Sequence, residues 1–151
     1  MSELKTEFLF DYLVKLDTSY DLGDTPSGRR ITGGIVGGSF QGPRLRGVVQ
    51  PTGGDYARMR PDDVLEADVR AVLRTDDDML IYMHYTGLLH PWSGIARAFM
   101  NPQKQGPGFY WRMTHRFETS AEPYMWLNKV LAIGIGRPET GAGAYRVYQI
   151  Q

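Results

Sequence analysis

Turn-forming residues recur along this chain so often that few stretches are long enough for a helix. The 151 residues include 18 Gly and 9 Pro. They fall in clusters, as at Gly42-Pro43, Pro51-Thr52-Gly53-Gly54 and Gly87, which mark turns and loops. Between the breaks, apolar residues tend to alternate. Phe8, Phe10, Tyr12, Val14 and Leu16 occupy every second position, the period of a strand with one buried face. Aromatic and β-branched side chains dominate that set, which favours a strand over a helix.

The same punctuation organises the rest. Residues 17–30 have loop chemistry, and Arg30 to Phe40 reads as an extended run broken by Gly33, Gly34, Gly37 and Gly38. Glycine at that density marks bends or close backbone approach in a strand. It lacks the order of a phosphate-binding loop, and no helical pattern follows it. Leu45 to Gln50 is a third strand. Val64 to Arg74 and Leu80 to Thr86 form a hairpin around Asp76-Asp77-Asp78. A two-residue turn at Asp77-Asp78 sets Thr75 against Leu80 and Arg70 against Tyr85. Glu66, Asp68 and Arg70 then share a face with Ile81, Met83 and Tyr85, and a one-residue slip would exchange those partners. Residues 87–108 read as a long loop around one helical turn, a place where lids and binding loops occur. Phe109 to Phe117 is a strand and Ser120 to Asn128 a short helix capped by Ser120. Lys129 to Gly136 and Ala144 to Ile150 are the last strands. Seven to nine strands without intervening long helices make an all-β, mainly antiparallel fold, a barrel or sandwich, in one domain over residues 1–151.

Composition narrows the function. Lys+Arg and Asp+Glu both number 17, so no basic excess announces nucleic acid. No apolar run approaches the ~20 residues of a membrane-spanning helix. The opening Met-Ser-Glu-Leu-Lys-Thr is polar, and the expectation is a cytoplasmic protein without a secretory signal. There is no Cys, which removes disulfides, thiolate metal sites and cysteine nucleophiles. The three histidines, His84, His90 and His115, lack His-x-x-x-His spacing, so no metal and no cofactor is expected.

Polar residues on or beside the strands supply the candidate chemistry. Asp55, presented by Gly53-Gly54, is either a turn-capping aspartate or a general base whose pKa desolvation raises. Asp68 and Arg70 are two apart and point to one side of a strand. They form either a solvated pair or, inside a barrel, an anchor for a carbonyl or carboxylate. Tyr85 opposite Arg70 adds a hydroxyl. His84, Tyr110, Arg112 and Trp126 complete a candidate binding set.

Several phrases together resemble one family. They include Gly37-Gly38-Ser39-Phe40-Gln41-Gly42-Pro43, Gly53-Gly54-Asp55-Tyr56, Asp68-Val-Arg70, Leu73-Arg-Thr75-Asp76-Asp77, Tyr110-Trp-Arg112 and Tyr124-Met-Trp126-Leu127-Asn128. Their number and order resemble the DUF3237 family, also called UPF0311, over nearly the whole chain. The resemblance implies a single small β-barrel, with one or two short helices and long loops. It also implies an interior pocket for a small organic molecule and a homo-oligomer. Asp78 stands where the family turn has glycine. The stretch His90–Gly108 is longer than the family pattern, so substrate choice is expected there.

The leading expectation is a cofactor-independent isomerase, cyclase, lyase or hydratase acting on a carbonyl- or carboxylate-bearing substrate. Asp55, Arg70 and Tyr85 would be catalytic, while Asp68, His84, Tyr110, Arg112 and Trp126 would bind substrate. The alternatives are a non-catalytic ligand-binding barrel and a barrel filled by its own side chains.

Overall fold

The computed structural model describes residues 2–104 and 108–151. The expected loop glycine Gly106 and its neighbour Pro107 lie outside the described residues, as does Met1. Among the described residues ten strands run in chain order. They are β1 (Thr6–Leu16), β2 (Tyr20–Thr25), β3 (Gly28–Gln41), β4 (Arg46–Val49), β5 (Gly54–Met59), β6 (Leu65–Thr75), β7 (Leu80–His90), β8 (Tyr110–Glu118), β9 (Ala132–Glu139) and β10 (Ala142–Ile150). One α-helix, α1 (Trp92–Met100), follows β7, and a 3-10 helix (Glu122–Lys129) follows β8. Among the described residues no helix is long and apolar enough to cross a membrane.

Pairing is antiparallel throughout and returns on itself. The order β1-β10-β9-β8-β7-β6 continues through β4 and β5 to β3, which pairs back with β1. Because β4 and β5 share one place between β6 and β3, the circuit is a closed eight-strand barrel. β2 hangs from β3 as a hairpin, where the sequence reading expected only loop. Closure leaves little open sheet edge.

Alternation builds the interior. Along β6 every second residue is buried, from Leu65 through Leu73 to Thr75. In β1 the pattern is interrupted, because a bulge between Phe8 and Phe10 lets both Leu9 and Phe10 face the core. Phe10 meets Phe40 and Phe117 edge-on at 5.8 and 6.1 Å. These aromatics plug one end of the barrel with closely packed surface, each fully buried side chain contributing about 1.5–3 kcal/mol.

The β6–β7 turn corrects the expected register. Asp78 adopts a left-handed φ of 64°, which Asp tolerates better than most residues. Asp78 N–H donates to the Thr75 carbonyl at 2.9 Å and Thr75 N–H donates to the Met79 carbonyl at 2.9 Å. The loop is therefore Asp76-Asp77-Asp78, three residues rather than two. Arg74 opposes Leu80, and Arg70 opposes His84 instead of Tyr85. The slip moves Tyr85 to the buried face with Val69 and leaves Asp68 and Arg70 on the outer wall.

Residues 87–104 are also more ordered than expected. β7 extends to His90, and α1 takes up Trp92–Met100. Its N-terminus is capped by a residue distant in sequence. Asp63 accepts from Ser93 N–H at 2.9 Å and from Ser93 Oγ at 2.6 Å, and the Asp63 carbonyl accepts Trp92 N–H at 2.8 Å. A carboxylate at a helix N-terminus satisfies free N–H groups and opposes the positive end of the helix dipole.

Candidate active site in the barrel lumen

The end of the barrel beneath α1 is hollow. A cavity of about 350 Å3 lies among β3, β5, β6, β8 and β10, within the size range of small-molecule sites. It exists because inward positions there are small: Gly33, Ala57, Ala67, Ala142 and Gly143. Large rings wall the remainder, with Trp111 and Tyr145 from strands and Trp92 and Phe99 from α1. Asp17 and Ser19, both exposed, stand at the mouth.

Asp55 is the acid of this cavity. Gly53 has φ 79°, and a Cβ there would sit 2.0 Å from the Arg70 carbonyl oxygen. Only glycine allows β5 to approach β6 so closely, and two residues later Asp55 turns into the lumen. Its Oδ1 accepts the Asp68 N–H at 3.1 Å, and among the described residues no cation faces it from the cavity wall. Burial pushes its pKa up to about 6, the Asp68 N–H pulls it down less, and the Asp68 charge adds a smaller rise.

Beneath Asp55 lies a group of buried phenols. Tyr145 lines the cavity, and burial followed by the Asp55 charge holds its pKa well above the ordinary phenol value. Tyr85 and Tyr12 share a hydrogen bond of 3.1 Å and pack edge-to-face. Each is also raised, first by burial. All three hydroxyls therefore stay protonated and available as donors at neutral pH. His115 stacks on Tyr85 with centroids 4.6 Å apart. It is fully buried, neither ring nitrogen has a hydrogen-bond partner among the described residues, and burial pushes its pKa down to about 3.

The expected site thus separates into two. Asp55 lines the cavity and Tyr85 lies inside the barrel. Arg70 is on the outer wall, so it cannot act beside them. Asp68 and His84 are outside with it, His84 Nε2 lying 2.8 Å from Asp68 Oδ1. Tyr110 stacks on His90 at 4.8 Å, with the Arg112 guanidinium 5.2 Å from its ring centroid, also outside. Trp126 sits in the 3-10 helix under the Arg44 guanidinium at 3.5 Å, away from the cavity. Sequence reasoning missed Tyr145, Trp111, Trp92 and Phe99 as cavity walls. The inward parity of Trp111 was readable, but the small residues opposite it signify space only once the barrel closes. Among the described residues no three His, Asp or Glu side chains converge as a metal-binding set.

Fold and cavity together define a closed antiparallel β-barrel with a hollow lumen. Residues 4–150 match the family described as protein of unknown function (DUF3237), and the chain belongs to that family. A UPF0311 protein of Rhodopseudomonas palustris is 26% identical over 148 residues, 97% of each chain. A β-barrel-like protein of Acinetobacter baumannii AYE superposes with a TM-score of 0.87 at 28% identity, covering 100% of this chain and 98% of the other. An enzyme from Penicillium herquei shares the fold with a TM-score of 0.74 at 22% identity, covering 100% and 97%.

Proposed function

We propose that the protein is a cofactor-independent enzyme performing acid/base chemistry in its lumen on a small carbonyl-bearing molecule. One observation carries this reading: a half-buried, partly desolvated carboxylate, with no cation beside it among the described residues, faces an aromatic cavity of ligand size. A carboxyl titrating near 6 is ionised at neutral pH yet basic enough to take a proton and acidic enough to return it.

In this mechanism the Asp55 carboxylate removes a proton from the carbon next to the carbonyl. The electron pair moves onto the carbonyl oxygen, which accepts a hydrogen bond from the Tyr145 hydroxyl. Tyr85 and Tyr12 back that hydroxyl from the core. Protonated Asp55 then returns its proton: at another carbon, which completes an isomerisation; to the oxygen of a second carbonyl that the enolate carbon attacks, which closes a ring as a cyclase does; or to a group departing from the next carbon, which is lyase chemistry, or hydratase chemistry in its dehydrating direction when that group leaves as water. Tyr145 takes the stabilising role first expected of Arg70 and Arg112. With those arginines outside the lumen, a carboxylate-bearing substrate loses its expected partner, and the carbonyl-bearing class remains. A cytoplasmic setting suits a chain without cysteine, and homo-oligomeric assembly is retained from the family resemblance.

A carrier function has one observation in its favour, since the walls other than Asp55 are largely aromatic and aliphatic. The test separates the two. The protein is incubated with 2-tetralone in D2O, and deuterium entry next to the carbonyl is followed by NMR. Wild type is expected to accelerate exchange and Asp55→Asn to lose about 100-fold or more of it. Binding of 2-tetralone with equal exchange in wild type and Asp55→Asn would make the barrel a carrier.

A further inference from the structure

The basic phrases that the lumen does not use meet on the outer wall. Register places Arg70 opposite His84 on β7, and His84 opposite Arg116 on β8. Opposed residues on adjacent antiparallel strands have Cβ atoms about 4.5–5.5 Å apart, so the three side chains stand in one row on one face. Asp68 ties the first two together. Its Oδ1 lies 2.8 Å from His84 Nε2 and 3.4 Å from Arg70 Nη1. That one oxygen orients His84 and one end of the Arg70 guanidinium and leaves the other Arg70 donors free. The side chains of Arg116 and Lys129 make no hydrogen bond or ion pair among the described residues.

The row faces a groove. β8 and β9 pair only from Arg112 to His115, opposite Ile135 to Ala132. Past that point Val130 and Leu131 stand away from the end of β8, and a groove of about 770 Å3 opens. Arg70, His84 and Arg116 form one side, and Lys129 comes from the 3-10 helix on the other. The acidic groups in reach are Glu118 within the groove and Asp68 behind the row. Three permanent cations therefore converge against two carboxylates, one of them already engaged with His84 and Arg70.

We propose that this outer groove is a second binding site, for a small organic anion carrying a phosphate or carboxylate, gripped by Arg70 and Arg116 with Lys129 across from them. Cations that line one groove repel, and an anion between them relieves that repulsion. Arginine presents a planar fork of donors matched to phosphate and carboxylate oxygens. The barrel wall separates the groove from the lumen, so its ligand does not compete with a molecule beside Asp55.

The test uses the whole protein at constant ionic strength, set with sodium chloride. Sodium phosphate and sodium malonate are titrated separately, and the His84 ring and arginine Nε–H resonances are followed by NMR. Saturable shifts are expected at His84, Arg70 and Arg116, and the tighter of the two probes identifies the anion type. Arg116→Gln is expected to weaken binding at least about tenfold, with Lys129→Gln in the same direction. Arg97→Gln, which removes one positive charge from exposed α1, and Asp55→Asn in the lumen should leave binding unchanged. The proposal falls if the shifts rise without saturation for both anions, or if Arg97→Gln weakens binding as much as Arg116→Gln. Should Arg116→Gln not fold, undiminished binding in Lys129→Gln overturns it.

Discussion

Replacing Asp55 with Asn should make the protein more stable at neutral pH while slowing proton transfer about 100-fold or more. An ordinary carboxyl titrates near 3.8, and burial raises Asp55 to about 6. When the folded pKa lies above the unfolded one, the folded state holds the proton more tightly. Stability from this group is complete below the unfolded value and is lost as pH rises through the folded value. The resulting cost of the carboxylate above pH 6 is about 3 kcal/mol as an upper bound, since each pKa step of one is worth about 1.4 kcal/mol. Asn removes that cost and keeps an oxygen to accept the Asp68 N–H, which donates to Oδ1 at 3.1 Å. For a chain of this length the bound corresponds to about 6–12 °C in midpoint. Calorimetric unfolding of both proteins at intervals from pH 4 to pH 8 measures it. Asp55→Asn should melt higher at pH 8, and the gap should close towards pH 4. A gap that does not vary with pH, or a variant less stable at pH 8, would refute the assignment of Asp55 as a desolvated acid.

Three further outcomes follow from the same geometry. His115 has the opposite pH sign: burial lowers its pKa from 6.5 to about 3, so its stability is present above 6.5 and is lost as pH falls towards 3. His115→Phe should therefore lose less stability between pH 7 and pH 4 than wild type does, read by urea unfolding. Gly136→Ala puts a Cβ 2.5 Å from Trp111 Cδ1 and Nε1. The ring must shift, costing about 1–3 kcal/mol, and 2-tetralone binding should weaken in a fluorescence titration. Asp63→Ala removes the cap on α1 and places Ala at φ 61°. Stability should drop by about 1–2 kcal/mol, and hydrogen exchange should quicken first at Ile95–Ala98, while Asp63→Asn should recover part of the loss.

Local rules carried far along this chain. Alternation in β6, the glycine breaks and the scarcity of helical periods are properties of consecutive residues, and they determined an antiparallel all-β fold. Asp55 was legible as a candidate because Gly53-Gly54 present it just after a turn, but whether it caps that turn or enters a lumen was left open by the sequence. Side selection between paired strands was not legible. Whether Arg70 and Tyr85 act together depended on one residue in a turn, since Asp78 entering the left-handed region lengthens the loop and reverses which faces coincide. The cavity was equally hidden. Gly33, Ala67 and Gly143 are far apart in sequence, and their missing side chains become one volume only when β3, β6 and β10 curve around it. The chain by itself determined strands, breaks and chemically able side chains. Closure and register decided which of those side chains share a space, because charge, burial and reach depend on distances between residues that the chain order does not encode.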